Sequence, residues 1–255
     1  MSQQIRIMTY NVHSCIGMDG KTSTERIAEV IFRSGADIVA LQEVDNGLAR
    51  TGLVVQALEI ASNLNMHFHF HPSLYKEAGA YGNALLSRFP LRLRQGGALP
   101  TPRGLRRFEK RGALWAEVSF PERTVQVVTT HFGLIRLERL LQVLTLLGPE
   151  WLSHPECRAP VIVCGDFNAL PRSQVYRRIV GRFHDVQHSL AEWRPKNTWP
   201  SRYPLMRIDH MFISPDFTVE GVEVPQDKLT RKASDHLPLI AAVNLRESVE
   251  TEPRQ

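Results

Sequence analysis

Short runs of strand-forming residues recur along the whole chain and limit what it can fold into. Each run is rich in Val, Ile, Leu, Thr or aromatic residues and is bounded by Gly, Pro or Asn, as β-strands usually are. The runs are QIRIMTY, ADIVALQE, MHFHFH, NALLSR, GALWAEVSF, TVQVVTTHF, APVIVCGDF, RIDHMFIS, TVEGVEV and LPLIAAVNL. Stretches with helical periodicity lie between some of them, at 22–35, 51–64 and 135–148. The runs GALWAEVSF and TVQVVTTHF are separated only by PER, so residues 112–132 are predicted to form a hairpin. This order predicts an α/β or α+β protein in which helices cover sheets.

Composition argues against several classes of protein but does not indicate a particular activity. The chain has 255 residues, 31 Lys and Arg against 26 Asp and Glu, and a net charge of +5. That excess suits a phosphate-bearing or polyanionic partner, or a membrane surface, but requires none of them. The 3 cysteines show no CxxC spacing, which argues against a disulfide framework or a cysteine zinc site. No apolar run approaches the roughly 20 residues of a membrane span. The first residues lack the apolar region of a signal peptide, so a cytoplasmic location is expected.

Polar side chains recur where the strand-like runs end. Taken singly, an Asn or Asp at such a place is usually a turn residue, and a His is usually structural. Glu43 and Asp209 are harder to explain in this way, because an unpaired charge in an apolar run is costly. The full set is Asn11, Gln42, Glu43, Asn83, His131, Asp166, Asn168, Asp209, His210, Ser234, Asp235 and His236. Together they offer carboxylates, amides and imidazoles at the ends of many strands.

These residue types suit hydrolysis at phosphorus. Glu43, Asp235 and Asn11 carry the hard oxygen atoms that Mg²⁺ or Mn²⁺ prefers. Zinc is the weaker candidate, because no HExxH motif or Cys/His cluster is present. Histidines next to acids can act as acid, base or clamp for an oxyanion. Because GxSxG is absent, direct attack by water is favoured over a covalent intermediate.

The stretch VIVCGDFNAL has two interpretations. Asp166 and Asn168 are common residue types at a turn after a strand. Alternatively, the apolar run VIVCG holds an acid and an amide at the mouth of a sheet. Residues two apart on an extended chain point to the same side, so both side chains are predicted to face one cleft. Gly165 is expected to leave room beside the backbone there.

Seven motifs carry a resemblance to a known superfamily. They are TYNVH, LQEV, YGNALLSR, TTHFGL, GDFNA, RIDHMF and SDHLPL, in this order from Tyr10 to Leu239. The series resembles that of the endonuclease/exonuclease/phosphatase superfamily, which includes deoxyribonuclease I, exonuclease III-type AP endonucleases, inositol polyphosphate 5-phosphatases and neutral sphingomyelinases. The resemblance implies a DNase I-like four-layer sandwich of two mixed β-sheets flanked by helices. It also implies Mg²⁺-dependent (or Mn²⁺-dependent) phosphoester cleavage by a single domain over residues 1–246. The polar composition of residues 247–255 predicts a disordered tail.

The resemblance also implies a metal and a phosphate site. Glu43 matches the family's principal metal carboxylate, and Asp235 matches the second one. Asn11 matches a residue that supports the metal or the active site. His236 matches the histidine that touches the scissile phosphate, and Asp209 matches the acid that orients it.

Further matches concern the water and the phosphate oxygens. Asp166 matches the residue that handles the attacking water or the leaving-group proton, and Asn168 matches an amide that holds a phosphate oxygen. His131 is similar to the histidine of deoxyribonuclease I, sphingomyelinases and inositol phosphatases, where AP endonucleases commonly carry Tyr. Asn83 falls near the residue that supports this histidine in some relatives. His210 is more often a structural neighbour.

Two stretches are candidates for contacts with the substrate, and a third is a candidate metal site. TPRGLRRFEKRG is either a solvated loop or a grip for phosphates through Arg103, Arg106 and Arg107, which Lys110 and Arg111 follow. Before Asp209, the side chains of Trp199, Arg202 and Tyr203 either edge the site or pack in the core. HFHFH alternates three imidazoles on one face, which favours half-exposed strand residues over a metal site.

The sequence leaves three functions open. The first is a metal-dependent phosphodiesterase or phosphatase acting on a small phosphoester or a lipid headgroup. The second is a nuclease of low sequence specificity, which the basic balance favours. The third is a non-catalytic phosphate-binding protein, which would not need Glu43, Asp166, Asp209 and His236 together. A phosphoester substrate, nucleic acid and a peripheral membrane contact are all compatible partners.

Overall fold

Two mixed six-stranded β-sheets pack face to face, with helices on both outer faces. The computed structural model describes residues 4–76, 79–102, 109–121 and 123–246. The strands are β1 (Gln4–Asn11), β2 (Ile38–Asn46), β3 (His67–Lys76), β4 (Gly79–Ser87), β5 (Leu91–Ala98), β6 (Gly112–Ser119), β7 (Thr124–His131), β8 (Val161–Asp166), β9 (His184–Asp185), β10 (Asp209–Ile213), β11 (Phe217–Glu223) and β12 (Leu239–Leu245). The helices are α1 (Thr24–Ser34), α2 (Gln56–Leu64), α3 (Arg136–Leu146), α4 (Gln174–Val180) and α5 (Lys228–Ala233).

Each sheet contains one central pair of parallel strands. The strand orders are β11-β12-β1-β2-β4-β3 and β5-β6-β7-β8-β10-β9. β1 and β2 are parallel, as are β7 and β8. The predicted hairpin is confirmed, because β6 and β7 are antiparallel with Gly112 opposite His131. Carboxyl ends of parallel strands meet at one edge of a sheet, so this topology brings the polar residues at four strand ends together.

The alternation of side chains along the strands builds the layers. Ile7 faces the opposite sheet, where it shares a core with Ile162. Met8 faces outward and packs against residues of α1 and α2. On the second sheet, Val163 faces outward toward α3 and α4. The predicted fold class, two packed mixed sheets flanked by helices, is confirmed.

The predicted helices form, with one wrong boundary. The Ser23 hydroxyl accepts a hydrogen bond from the Arg26 amide at 3.1 Å and begins α1, and Gly35 ends it in the left-handed region at φ +64°. The stretch 51–64 is helical only from Gln56 onward. Gly52, at φ +76°, closes a separate 3-10 turn, so the predicted first turn of that helix is wrong.

Four short elements escape the sequence patterns. α4 and α5 have 7 and 6 residues, which is too short for a helical repeat to show. β5 reads LRLRQGGA, with charged residues and glycines that strands usually lack. β9 has only 2 residues.

No helix among the described residues is long and apolar enough to cross a membrane. α1 and α3 have 11 residues each, about half of the ~20 that a span requires.

Candidate active site

A β-bulge turns Glu43 out of the first sheet. The pairing of β2 with β4 shifts register between Leu41 and Val44. Glu43 lies in this shift with φ +59°, a conformation that residues other than glycine seldom adopt. Its side chain is partly exposed in the cleft, whereas Leu41 and Val44 are buried. The bulge therefore aims the carboxylate at the cleft.

Asn11 links carboxylates that come from the two sheets. Its Nδ2 donates to Oε1 of Glu43 and to Oδ2 of Asp166, both at 3.0 Å. Its Oδ1 accepts from the backbone N–H of His13 at 3.1 Å, which fixes the orientation of the amide. Asn11 thus supports the site through N–H groups. The expectation that its oxygen binds a metal stays a prediction, and would require the amide to rotate.

The GDFN segment is a turn that holds both polar side chains at the cleft. Oδ1 of Asp166 accepts from the backbone N–H of Asn168 at 2.9 Å, and Asn168 has φ +47°. The extended-chain argument for their common direction is therefore wrong, because β8 ends at Asp166 and the turn orients Asn168. Gly165 has φ +145°, and a Cβ there would collide with the Thr130 carbonyl. Glycine thus allows β7 and β8 to approach closely.

The side chains of Asp209, His236 and Asp166 form a buried cluster of ionisable groups. Asp209 lies opposite Asp166 in the pairing of β8 with β10. Nδ1 of His236 donates to Oδ2 of Asp209 at 2.9 Å, and its Nε2 lies 3.7 Å from Oδ2 of Asp166.

The charges in this cluster shift the pKa values of His236 and Asp166. Burial alone would lower the pKa of His236, but the carboxylates, Asp209 first and then Asp166, outweigh it and raise the pKa to about 10. Burial, followed by the charge of Asp209, raises the pKa of Asp166 to about 7, although His236 opposes this. The site therefore holds an imidazolium beside an acid that titrates near neutral pH.

Arg111 fixes the tautomer of His131. Nη1 of Arg111 donates to Nδ1 of His131 at 3.0 Å, and a guanidinium can only donate. Burial, the Arg111 charge and His236 hold the pKa of His131 well below its usual range, so the ring is neutral. Its proton is on Nε2, which lies 3.4 Å from Oδ2 of Asp166. His131 is thus an uncharged N–H donor at the cleft.

Asn168 brings a second N–H to the same point. Its Nδ2 donates to the Phe132 carbonyl at 2.9 Å and lies 3.2 Å from Nε2 of His131. In the tautomer that Arg111 imposes, both nitrogens carry hydrogen. An anionic oxygen between them would accept from both.

These groups line one cleft of about 550 Å³. Its walls are formed by Glu43, Arg111, His131, Leu134, Arg139, Asp166, Asn168, Ala169, Leu170, Ser173, Trp199, Met206, Ile208, Asp235 and His236. Asn11 and Asp209 lie directly behind it, bonded to Asp166 and His236. The structure thus brings together all the catalytic and metal-binding residues that the sequence predicted.

Comparison with known proteins gives a family match over most of the chain. Residues 8–236 match the family described as Endonuclease/Exonuclease/phosphatase family. The chain belongs to this family. The protein YbhP of Escherichia coli K12, described as uncharacterized, is 26% identical over 250 residues, covering 94% of this chain and 96% of YbhP.

Several solved structures share the fold of this chain. An endonuclease/exonuclease/phosphatase from Beutenbergia cavernae has a TM-score of 0.78 at 24% identity, covering 96% of this chain and 72% of that one. Mannosyl-6-phosphatase Bt3783 from Bacteroides thetaiotaomicron has a TM-score of 0.74 at 19% identity, covering 94% and 99%. The human Nocturnin catalytic domain with bound sulfate has a TM-score of 0.71 at 23% identity, covering 96% of each chain. The match of residues 8–236 to the family confirms the predicted superfamily.

The cleft fits the divalent metal on which endonuclease/exonuclease/phosphatase proteins generally depend. Ligand atoms of Glu43, His131 and Asp166 lie within 4.8 Å of one another, as do those of Asp166, Asp209 and His236. Among the described residues, no Lys or Arg nitrogen lies within 4.0 Å of the Glu43 or Asp166 carboxylate. Two carboxylates held together without such a partner suit a hard cation.

Asp235 lines the cleft but belongs to neither ligand group. Its Oδ2 accepts from Nε1 of Trp199 at 3.1 Å, and its Oδ1 lies 3.8 Å from Nδ1 of His13. Its assignment as the second metal carboxylate stays a prediction.

The predicted substrate contacts divide between the cleft and other places. Trp199 lines the cleft. Arg202 and Tyr203 do not; the guanidinium of Arg202 lies 5.7 Å from the centre of the exposed Tyr203 ring. Arg103, Arg106 and Arg107 lie outside the described residues.

Other polar residues have structural partners. Asn83 donates to the Gly112 carbonyl at 2.9 Å, so it braces β6 opposite His131 rather than bonding that ring. Nε2 of His210 donates to the Ala169 carbonyl at 2.8 Å within an aromatic cluster, which supports the structural interpretation. Among the described residues, the HFHFH strand forms no group of three metal ligands.

Arg111 was predicted to lie in a stretch that is either a solvated loop or a phosphate contact, and its bond to His131 was not predicted. The signal was available, because Arg111 directly precedes Gly112, which the hairpin sets opposite His131. Arg139 was missed altogether. It lines the cleft and donates to the Leu134 carbonyl at 2.6 Å.

Proposed function

We propose that this chain is a divalent-metal-dependent phosphodiesterase or phosphatase that acts on a small phosphoester or a lipid headgroup. Membership of a family whose members are typically phosphoester hydrolases supports the general chemistry. The observation that carries the proposal is the convergence of three N–H groups beside the Glu43 and Asp166 carboxylates. These are Nε2 of His131, Nδ2 of Asn168 and Nε2 of His236. Phosphate oxygens are acceptors that such a set can bind together.

Each side chain has a role in this proposal. Glu43 would be the principal metal ligand, and Mg²⁺ or Mn²⁺ bound there would supply a Lewis acid for the phosphoryl oxygens. Asp166 orients the attacking water and accepts its proton, a task suited to a pKa near 7. The imidazolium of His236, held by Asp209, donates Nε2–H to the scissile phosphate.

His131 and Asn168 hold a second phosphate oxygen. Both donors are fixed in advance, by Arg111 and by the Phe132 carbonyl respectively. Donors that need no reorientation stabilise the charge that develops as water adds to phosphorus and the ester oxygen departs.

The test is hydrolysis of bis-p-nitrophenyl phosphate with Mg²⁺ or Mn²⁺. We expect turnover that EDTA abolishes and that His236→Ala reduces at least about 100-fold. His184→Ala, at an exposed histidine of β9, is the matched control and should retain full activity. Full activity in EDTA, or in His236→Ala, would contradict the mechanism.

A substrate panel separates this proposal from its alternatives. It contains plasmid DNA, abasic duplex, RNA, inositol phosphates and phospholipids. Nicking of plasmid without activity on lipids or inositol phosphates would favour the nuclease. Phosphate binding by calorimetry with no turnover on any substrate would favour the non-catalytic protein.

A further inference from the structure

The outer face of α3 exposes a row of leucines. Leu137, Leu141 and Leu144 are spaced as neighbours on one side of the helix and are 57%, 38% and 51% exposed. A surface helix normally presents polar side chains on this side. Leu134 precedes the helix, and Leu170 follows the GDFN turn. Both are exposed and also line the catalytic cleft. We call these five residues the leucine face.

Arginines line a recess beside the leucine face. Arg136 and Arg139 of α3 border it together with Arg172 and Arg177, and its volume is about 290 Å³. Ser173 and Arg139 line both this recess and the cleft, so the two are continuous. Within the part of the chain that the structure describes, no carboxylate oxygen lies within 4.0 Å of these four guanidinium groups. The recess therefore carries uncompensated positive charge.

Apolar and cationic side chains thus share one helix at the entrance to the cleft. An amphipathic helix binds a bilayer by burying its apolar side at the boundary of headgroups and acyl chains. Basic residues beside it add attraction for anionic lipids. The arginines would also complement an acidic protein, but such a partner would need a groove to cover the helix ridge, whereas a bilayer accommodates a convex apolar surface.

We propose that the leucine face and the arginine recess dock on an anionic phospholipid surface. Docking would bring the mouth of the cleft, formed in part by Leu134 and Leu170, against the lipid headgroups. The inference goes beyond the proposed hydrolysis. Vesicle binding is measured without turnover, so failure of docking and failure of the chemistry are distinguishable.

The first experiment is sedimentation of the full chain with vesicles. One set of vesicles contains phosphatidylcholine alone. The other contains phosphatidylcholine with about 30% phosphatidylglycerol, which gives an anionic surface. We expect binding to the anionic vesicles that weakens as salt is added, and little binding to the neutral ones. Equal affinity for both compositions, or none for either, would overturn the proposal.

Leucine variants test the apolar contribution. Leu137→Gln, Leu141→Gln and Leu144→Gln together remove exposed apolar area while keeping a good helix former. We expect vesicle affinity to fall at least about tenfold. The matched control replaces Leu53, Leu58 and Leu93, which are 66%, 46% and 43% exposed, by Gln and should bind as the wild type does.

Arginine variants test the charge. Arg136→Gln, Arg172→Gln and Arg177→Gln together should reduce affinity for anionic vesicles on the order of 100-fold. The control replaces the exposed Arg92, Arg123 and Arg158, and so removes the same charge elsewhere. None of the four triple variants should change turnover of bis-p-nitrophenyl phosphate, which shows that each folds. Equal loss of affinity in test and control variants would contradict a defined docking surface.

Sedimentation of the protein without vesicles tests whether a second copy of this chain covers the leucine face instead. The wild type without vesicles should sediment identically to the triple leucine variant. Self-association that the leucine variant abolishes, together with absent vesicle binding, would assign the leucine face to a second copy of this chain and overturn the lipid proposal.

Discussion

Asp209→Asn should flatten the dependence of stability on pH. Asp209 and His236 are both buried, and their side chains are joined by a 2.9 Å hydrogen bond. The pKa of His236 rises from 6.5 to about 10, and Asp209 is the largest of the charges that raise it. A raised pKa means that the folded protein holds the proton more tightly than the unfolded chain does. The resulting stability is present below pH 6.5 and is lost as pH rises through about 10.

The magnitude follows from the size of the shift. At about 1.4 kcal/mol per pKa unit, this linkage is on the order of 5 kcal/mol, of which most is lost between pH 6 and pH 9. Asp166 acts in the same direction, because its raised pKa also makes the fold less stable as pH rises toward 7. Asn at 209 removes the charge that contributes to both shifts. The variant should be less stable at pH 6 by about 3–5 kcal/mol and should lose little further stability by pH 9.

The assay is urea unfolding at pH 6, 7.5 and 9 in EDTA, followed by fluorescence of the buried Trp115 and Trp151. Asp45→Asn is the matched control, because Asp45 is equally buried but pairs with Arg50 at 2.7 Å. It should lower stability and keep the pH slope of the wild type. If the stability of Asp209→Asn falls with pH as steeply as that of the wild type, Asp209 does not raise the pKa of His236 as described.

Three further predictions follow from the site. Asp166→Asn should lower kcat at least about 100-fold with little change in KM, and an unchanged kcat would remove Asp166 from the chemistry. Arg111→Gln should lower kcat and shift the ¹⁵N resonances of His131 away from the tautomer with its proton on Nε2, with partial recovery in Arg111→Lys; unchanged resonances would show that Arg111 does not set the tautomer. Asn11→Asp places a third carboxylate beside Glu43 and Asp166, so the Tm in EDTA should fall and Mg²⁺ should raise it more than in the wild type. A Tm in EDTA equal to that of the wild type would contradict the crowding of charge.

The strand-like runs predict an α/β or α+β protein, whereas the resemblance of the seven motifs predicts the two-sheet sandwich and the residues of the site. Glu43, His131 and Asp166 each lie at or near the end of an apolar run, and the two parallel pairs place those ends together. The patterns fail where direction depends on backbone torsion. Asn168 faces the cleft because of φ +47°, and neither residue type nor spacing reveals that angle.

Side-chain partners are less predictable still. The bond between Arg111 and His131 depends on where a long side chain reaches from the start of β6. An exposed leucine becomes part of a larger apolar surface only when another segment of the chain brings apolar residues near it. Leu134 and Leu170, for example, line the same cleft although they are distant in sequence. Both kinds of information arise only when the sheets and helices are assembled.

The hydrogen bond from Asn11 to Asp166 joins residues 155 positions apart across the seam between the two sheets. Glu43 belongs to one sheet, whereas His131, Asp166 and Asp209 belong to the other. The spacing between the proposed metal ligand and the proposed phosphate donors therefore depends on how the two sheets pack on their shared core. Substitutions deep in that core, far from any polar group, can change this spacing and lower the catalytic rate while each sheet stays intact. Activity then reports on the relative position of the two sheets. Mild denaturant should therefore inactivate the protein before secondary structure is lost.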